Sequence, residues 1–491
     1  MNRPAALVLV LLGLARTAPA QEPAPEEQAR RLLEDGRAYR AQGKLKQALD
    51  NFNIVVASFP ATDSVGYALL EIGRYRMEVD GDAEKARASF EQVTKQYARS
   101  DAAPGGYYYL GLLTLSRATT PAEIDDALAN FTRVATLYPR SEWVPRALTA
   151  SARAHRRAGR YAEAADINRR VSLEYPASDA AAEAQFEIGQ ALALQGQPRV
   201  AMEEFQQVRN RFPQSAWAQP ALERTTGLYR LFGGAKPSFA LDPAFSLAGG
   251  DILKDVRALA VAGGTLWVAS DKTRSAVPFD ASGKPGPSRN VEEPRALSLT
   301  PAGELVLAGK TALRVGASDV RSFTTPPDKP GAQAKPVDRI LAAAITPGGS
   351  VLVADEEREA ILRFDAKGQY LGTFPADSTK RKVSRMLVDG EGGIVTLDRD
   401  EKTVRVWQET GKLVRAVGPA GLKRPVDVAV DAFRNLYVAD EELGVLVFNP
   451  QGQAIATITS PELKRPKAVT LDPTGAVLVY DDRAERVLRY R

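Results

Sequence analysis

The stretch from Pro425 to Gly452 reads Pro-Val-Asp-Val-Ala-Val-Asp-Ala-Phe-Arg-Asn-Leu-Tyr-Val-Ala-Asp-Glu-Glu-Leu-Gly-Val-Leu-Val-Phe-Asn-Pro-Gln-Gly. β-Branched and aromatic residues are concentrated in three short runs, and Asp, Asn, Gly and Pro separate the runs. This pattern predicts three short β-strands that are joined by turns.

The same pattern recurs along the second half of the chain. The end of the second strand marks each copy, at Ser270, Ala308, Asp355, Asp398, Asp440 and Asp481. The steps between these markers are 38, 47, 43, 42 and 41 residues. A period of about 42 residues with several strands per unit is typical of β-propeller blades, so six markers predict six blades.

The motifs Pro-x-x-Val-Ala-Val-Asp, Leu-Tyr-Val-Ala-Asp and Val-x-Val-Phe, followed by Gly, resemble the NHL repeat of six-bladed propellers. The resemblance covers roughly the last half of the chain and is weakest around Ala308. The last blade ends at Arg491 after a third strand, which leaves the ring one strand short. The segment from Ser238 to Leu247 is similar to the last strand of another blade, so we expect it to close the ring beside Val487–Tyr490.

Residues 26–232 have a helical composition, with apolar residues at spacings of three and four. Three positions repeat with steps of 38, 41, 37 and 37 residues: Ala48, Ala86, Ala127, Ala164 and Ala201; Phe52, Phe90, Phe131, Asn168 and Phe205; Phe59, Tyr97, Tyr138, Tyr175 and Phe212. Proline and serine after the last aromatic predict a helix end and a capped restart. We expect Asn168 to loosen the fourth repeat or to be replaced in packing by Ile167.

The pattern Gly…Ala-x-x-x-Phe…Tyr-Pro-x-Ser resembles tetratricopeptide repeats, and its ending is common in bacterial envelope proteins. The predicted fold class is therefore a multidomain α plus β protein, an all-α helix-hairpin solenoid followed by an all-β six-bladed propeller. Residues 1–20 resemble a secretory signal peptide that ends in Ala18-Pro-Ala20. The predicted domains are the signal peptide at 1–20, the solenoid at 26–232, a linker at 233–237 and the propeller at 238–491.

Composition restricts the possible chemistry. The chain has 491 residues, no cysteine, one histidine (His155) and a formal net charge of +5. The absence of cysteine excludes disulfides and thiolate catalysis, and a single histidine excludes sites with several histidine ligands. The net charge is too small to favour a nucleic-acid partner. We expect no cofactor, no segment that spans a membrane, and export to the periplasm or the medium.

Some NHL-like propellers are zinc-dependent or histidine-dependent lyases whose histidines line the central channel. This propeller has no histidine, which leaves a hydrolase or lyase that uses carboxylates, with or without calcium, as the enzymatic alternative. Sugars or lactones would be its substrates. Asp355 and Asp440 recur with the repeat, however, and this favours a role in capping turns or in pairing with a neighbouring blade.

Basic residues recur where the chain enters the inner strand of a blade. They are Arg257, Arg295, Arg385 and Lys467, and the preceding Leu-Lys-Arg-Pro motifs add Lys423, Arg424, Lys464 and Arg465. Leu341 and Val426 hold the equivalent place in two blades, and Arg385 aligns only to within one residue. Ring closure would gather this set at one mouth of the channel. Either an anionic partner or the acidic loops of the protein itself would then neutralise it.

A second basic cluster lies in the fourth helix hairpin, at Arg153, Arg156, Arg157 and Arg160. It is read either as a solvated helix face or as a docking point for an acidic partner. Together these features predict a non-enzymatic protein–protein interaction scaffold of the bacterial cell envelope, which binds other envelope proteins or peptides through the solenoid groove and the propeller face.

Overall fold

A computed structural model of the chain describes residues 24–327, 333–377, 379–418 and 421–491. The chain divides into two compact units, the first unit at residues 1–106 and the second unit at residues 107–491. The predicted signal peptide lies outside the described residues.

The described residues contain eleven α-helices: α1 (Pro25–Ala41), α2 (Leu45–Ser58), α3 (Ser64–Glu78), α4 (Ala83–Gln96), α5 (Ala103–Arg117), α6 (Pro121–Leu137), α7 (Trp143–Arg157), α8 (Tyr161–Glu174), α9 (Ala181–Leu194), α10 (Pro198–Arg211) and α11 (Ala218–Phe232). They form the predicted helix hairpins of a solenoid. The repeated alanines and aromatics at the first two repeat positions are buried throughout.

Close packing explains the pattern inside each hairpin. A Cβ atom built on Gly73 would lie 2.4 Å from the ring of Phe90, and the same clash occurs between Gly189 and Phe205 at 2.8 Å. A methyl group at these positions would force the ring away, because protein interiors leave almost no spare volume. Glycine is therefore required opposite the repeated phenylalanine.

In the fourth repeat, other residues take the places of the phenylalanine and of the glycine that packs against it. Asn168 is buried in place of phenylalanine, and Ala152 stands where the other hairpins have glycine. Ile167 packs against the alanine cluster that contains Ala152, which confirms the expected replacement. Serine does not cap the helix that follows this repeat, since Ser178 Oγ donates to the carbonyl of Tyr175 at 2.8 Å and thereby closes the turn. After the third repeat, in contrast, Ser141 Oγ accepts from the N–H of Trp143, the first residue of α7, at 3.3 Å, as expected.

The second half of the chain is built from short antiparallel strands. They are β1 (Val256–Ala262), β2 (Thr265–Ser270), β3 (Ser275–Phe279), β4 (Arg289–Asn290), β5 (Ala296–Leu299), β6 (Leu305–Ala308), β7 (Leu313–Val315), β8 (Asp319–Arg321), β9 (Thr324–Thr325), β10 (Lys335–Pro336), β11 (Ile340–Ile345), β12 (Val351–Asp355), β13 (Ala360–Phe364), β14 (Tyr370–Phe374), β15 (Val383–Val388), β16 (Ile394–Asp398), β17 (Thr403–Trp407), β18 (Leu413–Val417), β19 (Pro425–Val430), β20 (Leu436–Asp440), β21 (Gly444–Phe448), β22 (Ala454–Ile458), β23 (Pro466–Leu471), β24 (Val477–Asp481) and β25 (Arg486–Tyr490).

These strands form a six-bladed propeller. Blades 1 to 5 are the four-stranded sheets β1–β4, β5–β8, β11–β14, β15–β18 and β19–β22, and blade 6 is the three-stranded sheet β23–β25. The first strand of each blade packs against the first strand of the next, and β23 packs against β1. The second strand of each blade ends at its predicted marker residue.

The segment before blade 1 closes the ring as expected. Leu241 forms an antiparallel bridge with Tyr490 in blade 6. The backbone N–H groups of Ala240 and Asp242 donate to the carbonyls of Arg491 and Arg489 at 2.7 and 2.8 Å. Blade 6 thereby gains a fourth strand, which pairs an edge that would otherwise remain open.

Within the second unit, helices pack against one end of the propeller. The contacts involve the turns between the first and second strands of blades 3 to 6. Gly348 lies against Thr119, Ala432 accepts a hydrogen bond from Gln190 at 2.7 Å, and Thr474 accepts one from Arg230 at 2.9 Å.

Phe433 joins the buried cluster of Phe186, Phe205 and Leu228, so helices and propeller share a core. Residues 233–237 contain neither helix nor strand. As a domain boundary they remain a prediction.

Candidate functional site

The mouth of the propeller channel, at the end away from the helices, is shaped by β-bulges. Five of the six first strands leave one residue unpaired near their start, and these residues are Arg257, Leu341, Ser384, Val426 and Lys467. A bulge breaks the alternation of side chains and re-aims the extra residue, and such bulges are frequent beside functional sites. All five residues line one cavity.

This mouth cavity has a volume of about 150 Å³. Besides the bulge residues it is lined by Arg295, Arg385, Arg399 and Glu441. Five of the lining side chains are therefore basic and one is acidic. The structure brings together Arg257, Arg295, Arg385 and Lys467, which come from four blades, as their recurrence in the sequence predicts.

Arg385 differs from the other three because it crosses the channel. Its Nε donates to Asp427 of blade 5 at 3.0 Å, and its Nη1 donates to the carbonyls of Ser384 at 2.9 Å and Arg295 at 3.2 Å. Its Nη2 donates to the carbonyl of Arg257. Four hydrogen bonds to four residues make this guanidinium a link between blades, and its expected role in binding a ligand stays a prediction.

Asp427 is the counterpart of this link, and the sequence interpretation missed it. Its side-chain oxygens accept hydrogen bonds from the backbone N–H groups of Val428 and Val469, both at 2.9 Å, so it also links blade 5 to blade 6. Burial raises the pKa of Asp427, while Arg385 and these hydrogen bonds oppose the shift. The signal for this residue was available: a single acidic side chain within the apolar strand Pro425–Val430.

The other predicted mouth residues form ion pairs within their own blades. Arg257 Nη2 lies 2.9 Å from Asp271 Oδ2, and Arg295 Nη2 lies 2.6 Å from Glu293 Oε2. Lys467 Nζ lies 3.1 Å from Asp482 Oδ1, and Arg465 pairs with the same carboxylate. The acidic loops therefore neutralise part of the basic set.

The electrostatics of these carboxylates are consistent with the pairing. The hydrogen bond from Lys310 is the largest cause that lowers the pKa of Glu293. Burial acts to raise the pKa of Asp482, but the hydrogen bonds and charges of Lys467 and Arg465 outweigh it, and the pKa is lowered. Both carboxylates thus stay ionised beside their cations at neutral pH.

Neutralisation at the mouth is incomplete. The Nε–H groups of Arg257 and Arg295 are buried and donate to no described residue. Arg399, which the sequence interpretation also missed, is exposed and forms no ion pair with any described residue. The cavity therefore offers excess positive charge to an anion, in particular at the exposed side chain of Arg399.

The two Leu-Lys-Arg-Pro motifs have mainly a backbone role. Asp440 Oδ2 accepts hydrogen bonds from the N–H groups of Lys423 and Arg424 at 2.7 and 2.9 Å, and Asp481 does the same for Lys464 and Arg465. The side chain of Arg424 forms an ion pair, with its Nη2 at 3.1 Å from Glu441 Oε2. Lys423 Nζ lies 3.9 Å from Glu442 Oε2, and the side chain of Lys464 is exposed.

The blade aspartates also close the turns that follow them. Asp355 Oδ1 accepts from the N–H of Arg358 at 2.7 Å, and Asp440 Oδ1 accepts from Glu442 at 3.0 Å. This confirms the expected structural role of Asp355 and Asp440.

The second predicted cluster, on α7, does not form an open basic patch. Arg153 pairs with Glu183 at 3.2 Å and Arg160 pairs with Asp125 at 2.7 Å. Arg157 donates to the carbonyls of Leu115 and Ala118. Adjacent helix hairpins supply these partners, and the expected docking of an acidic partner at this cluster stays a prediction.

Arg156 of this cluster is buried at the contact between helices and propeller. Its Nε lies 3.0 Å from Glu187 of α9, and its Nη1 contacts Glu391 of blade 4. Burial raises the pKa of Glu391 to about 7, although the charge of Arg156 acts in the opposite direction. His155 beside it has its pKa lowered by burial and by the charge of Arg160.

Comparisons with known proteins agree with the helical part of this description. The tetratricopeptide repeat family matches residues 67–100 and 183–215, which correspond to α3–α4 and α9–α10. Comparison with curated proteins gave no significant match.

Among solved structures, a streptogramin B lyase is 12% identical with a TM-score of 0.39, covering 52% of this chain and 99% of its own. A catalytically inactive virginiamycin B lyase from Staphylococcus aureus with quinupristin is 14% identical with a TM-score of 0.39, covering 51% of this chain and 85% of its own. A selenomethionine form of the latter enzyme is 14% identical with a TM-score of 0.37, covering 50% and 82%. At these values the likeness carries no functional meaning for this chain.

The protein therefore carries tetratricopeptide repeats in a helical solenoid, followed by a six-bladed β-propeller. Both are architectures that commonly serve as interaction scaffolds. The NHL type of the propeller remains a prediction. In the part of the chain that the structure describes, no helix is long and apolar enough to cross a membrane, and no group of three or more acidic or histidine side chains is placed to hold a metal ion.

Proposed function

We propose that this protein is a non-enzymatic interaction scaffold of the bacterial cell envelope, exported and soluble, that docks envelope proteins through its solenoid and through the mouth of its propeller. The single observation that carries the proposal is the difference between the two ends of the propeller. The turns at one end pack against helices of the same unit, while the other end keeps a cavity lined mostly by basic residues.

The mouth favours a partner that offers carboxylates. The cavity of about 150 Å³ has room for a few water molecules or one acidic side chain, since a water molecule occupies about 30 Å³ in the liquid. The exposed guanidinium of Arg399 supplies charge-assisted donors, which are the stronger class of hydrogen bond. An acidic segment of a partner protein would be attracted to this cavity and held by it.

The experiment tests the mouth in the full-length protein with a fluorescent decaglutamate peptide as the probe. Variant Arg257→Gln/Arg295→Gln/Arg399→Gln removes three mouth cations. Variant Lys284→Gln/Lys367→Gln/Lys412→Gln removes three exposed cations outside the cavity and is the matched control. We expect the first variant to bind the probe at least about tenfold more weakly than the control, because each lost charged hydrogen bond is worth roughly 1.5–3 kcal/mol.

Equal loss in both variants would mean that only general charge attracts the probe, and it would remove the mouth as a docking site. Export is tested separately by fractionation of cells that express the full chain. Recovery in the cytoplasm with an intact N-terminus would contradict an envelope role.

The enzymatic alternative is a carboxylate-dependent hydrolase or lyase. It is less favoured because the carboxylates at the mouth, such as Glu293 and Asp482, are engaged by cations, and Asp427 is held by Arg385. Turnover of sugar or lactone substrates that is abolished by Asp427→Asn in a folded protein would reverse this preference.

A further inference from the structure

The sequence of α1 to α3 corresponds to that of α7 to α9 at a constant separation of 116 residues along the chain. Several residues of α1 to α3 reappear at that distance in α7 to α9: Arg30, Arg37, Arg40, Gly43, Ala48, Pro60, Glu71, Ile72 and Gly73 correspond to Arg146, Arg153, Arg156, Gly159, Ala164, Pro176, Glu187, Ile188 and Gly189. The two matches to the tetratricopeptide family also begin 116 residues apart, at residues 67 and 183. The two helix triplets are therefore equivalent copies of one surface.

The equivalent residues form the same contact in both units. In the first unit, Arg40 Nη1 lies 2.6 Å from Glu71 Oε2. In the second unit, Arg156 Nε lies 3.0 Å from Glu187 Oε2. Glu71 and Glu187 are both buried, so each holds its arginine in a fixed orientation at the surface of the repeat.

In the second unit, the occupant of this surface is visible. It is the turn from Asp389 to Gly393 in blade 4, whose Glu391 contacts Arg156. The Asp389 carboxylate accepts hydrogen bonds from the N–H groups of Glu391 and Gly393 at 2.9 and 2.7 Å, which fixes the turn and presents Glu391 outward. A neighbouring turn adds the hydrogen bond from Gln190 to the carbonyl of Ala432.

In the first unit, the same surface carries more positive charge. Arg74 stands at the position of Gln190, and Arg37 stands at the position of Arg153. Arg37, Arg40 and Arg74 all approach Glu71, at 3.6, 2.6 and 3.3 Å, and Glu78 is the other carboxylate in contact with the group. Arg37, Arg40 and Arg74 thus converge on the buried Glu71, and the side chain of Arg37 remains 47% exposed.

We propose that the surface of α1 and α3 around Arg37, Arg40 and Arg74 binds an acidic, glycine-rich β-turn of a partner protein, in the way that α7 and α9 hold the Asp389–Gly393 turn. A glutamate of the partner occupies the place that Glu391 has at Arg156 and displaces Glu78 from Arg40. Because the surface is one arginine richer than its occupied copy, the bound carboxylate completes a balanced cluster. This inference names the partner chemistry of the solenoid and rests on the proposed scaffold function for its biological meaning.

The probe is a cyclic peptide with the sequence of residues 388–394, Val-Asp-Gly-Glu-Gly-Gly-Ile, added to the full-length protein and followed by NMR titration up to millimolar concentration. The matched control peptide has glutamine in place of its glutamate. We expect the acidic peptide to bind and the control peptide to bind at least about fivefold more weakly, with affinity that falls as salt rises.

Protein variants locate the site. Arg37→Gln/Arg74→Gln should weaken binding at least about fivefold while Arg40 still compensates the buried Glu71. Arg31→Gln, which removes an arginine of α1 paired with Glu27 at the exposed helix face, should leave binding unchanged. Arg156→Gln should also leave it unchanged, since that copy is occupied by the propeller turn.

Three outcomes would overturn the inference: no binding at millimolar peptide, equal binding of both peptides, or loss of binding in Arg156→Gln with none in Arg37→Gln/Arg74→Gln. Thermal melting of each variant verifies that it is folded. None of these outcomes involves the mouth cavity, so the decaglutamate experiment at the mouth would still test the proposed function separately.

Discussion

Two groups of basic residues look alike in the sequence and behave differently in the structure. In the cluster that begins on α7, Arg156 keeps only 16% of its side chain exposed and lies between Glu187 and Glu391. The mouth residues Arg257 and Arg295 keep 40% and 34% of their side chains exposed and pair with carboxylates at the rim. The difference lies in what packs above each residue, since a propeller turn covers Arg156, whereas Arg257 and Arg295 line the mouth cavity.

The contribution of a charged residue to stability therefore depends more on its burial than on the number of charges nearby. A buried charge that loses its partner costs several kcal/mol, whereas an exposed pair contributes little. The sequence places Arg385 with the mouth residues, but its surroundings resemble those of the partly buried Arg156. A substitution of Arg385 therefore tests most directly whether burial decides how much a charged residue contributes to stability.

The variant Arg385→Met should have the largest effect. It leaves Asp427 buried without its cation, so we expect the free energy of unfolding to fall by about 3–5 kcal/mol in urea denaturation. The double variant Arg385→Met/Asp427→Leu removes both charges and should recover most of the loss. A loss below about 1 kcal/mol in the single variant would mean that the link is not a stabilising element.

The variant Arg156→Gln should come next. It leaves Glu187 and Glu391 buried without their shared cation, and we expect a loss of about 2–4 kcal/mol in the second unit. Arg160→Gln is the matched control on the next turn, where the partner Asp125 is 58% exposed, and it should cost less than about 1 kcal/mol. Similar losses in both variants would contradict the distinction between inward and exposed arginines.

The variant Glu391→Gln tests the contact between Glu391 and Arg156 through the pH dependence of stability. The pKa of Glu391 is raised from 4.5 to about 7 in the folded protein, so folding favours the protonated form. The wild type should therefore lose stability relative to the glutamine variant as pH rises from 4.5 to about 7, by on the order of 2–3 kcal/mol, and the difference should level off above that range. Denaturation curves measured across these pH values test this, and a constant difference would refute it.

The variant Arg257→Gln should have the smallest effect on stability. Its partner Asp271 is 34% exposed, so solvent screens the pair, and we expect a change below about 1 kcal/mol. Thermal melting measures it. A loss above about 2 kcal/mol would show that the mouth pairs stabilise the ring, and it would weaken the case that they are available to a partner.

Much of the fold could be predicted from the sequence because local rules repeat in it. The apolar second strands end in Asp355, Asp398, Asp440 and Asp481, and each of these residues ends its strand in the structure. The helical repeats were equally visible, since the buried alanine and phenylalanine recur at nearly constant steps. Both patterns depend on contacts within one repeat or between neighbours.

The candidate site was harder to predict, for two physical reasons. In β15 the bulge residue is Ser384, so Arg385 stands one place further along its strand than the bulge residues Arg257 and Lys467 do in theirs. The alignment of the blades shows this offset of one residue, but it does not show that the offset directs the side chain across the channel. The partner of Arg156 lies 235 residues away in blade 4, and no local pattern indicates which helix face meets which turn.

The closure of the ring by residues 240–242 also affects the order in which strands can pair while the chain is being synthesised. Leu241 and Tyr490 lie about 250 residues apart, so their pairing is among the most distant in the chain and carries a high entropic cost of loop closure. During synthesis, residues 240–242 are made long before their partners at 489–491, so the N–H groups of Ala240 and Asp242 stay unpaired until the end of β25 is available. Until then this segment and the edge of blade 6 can pair with other chains, so the risk of aggregation lasts until the ring is closed.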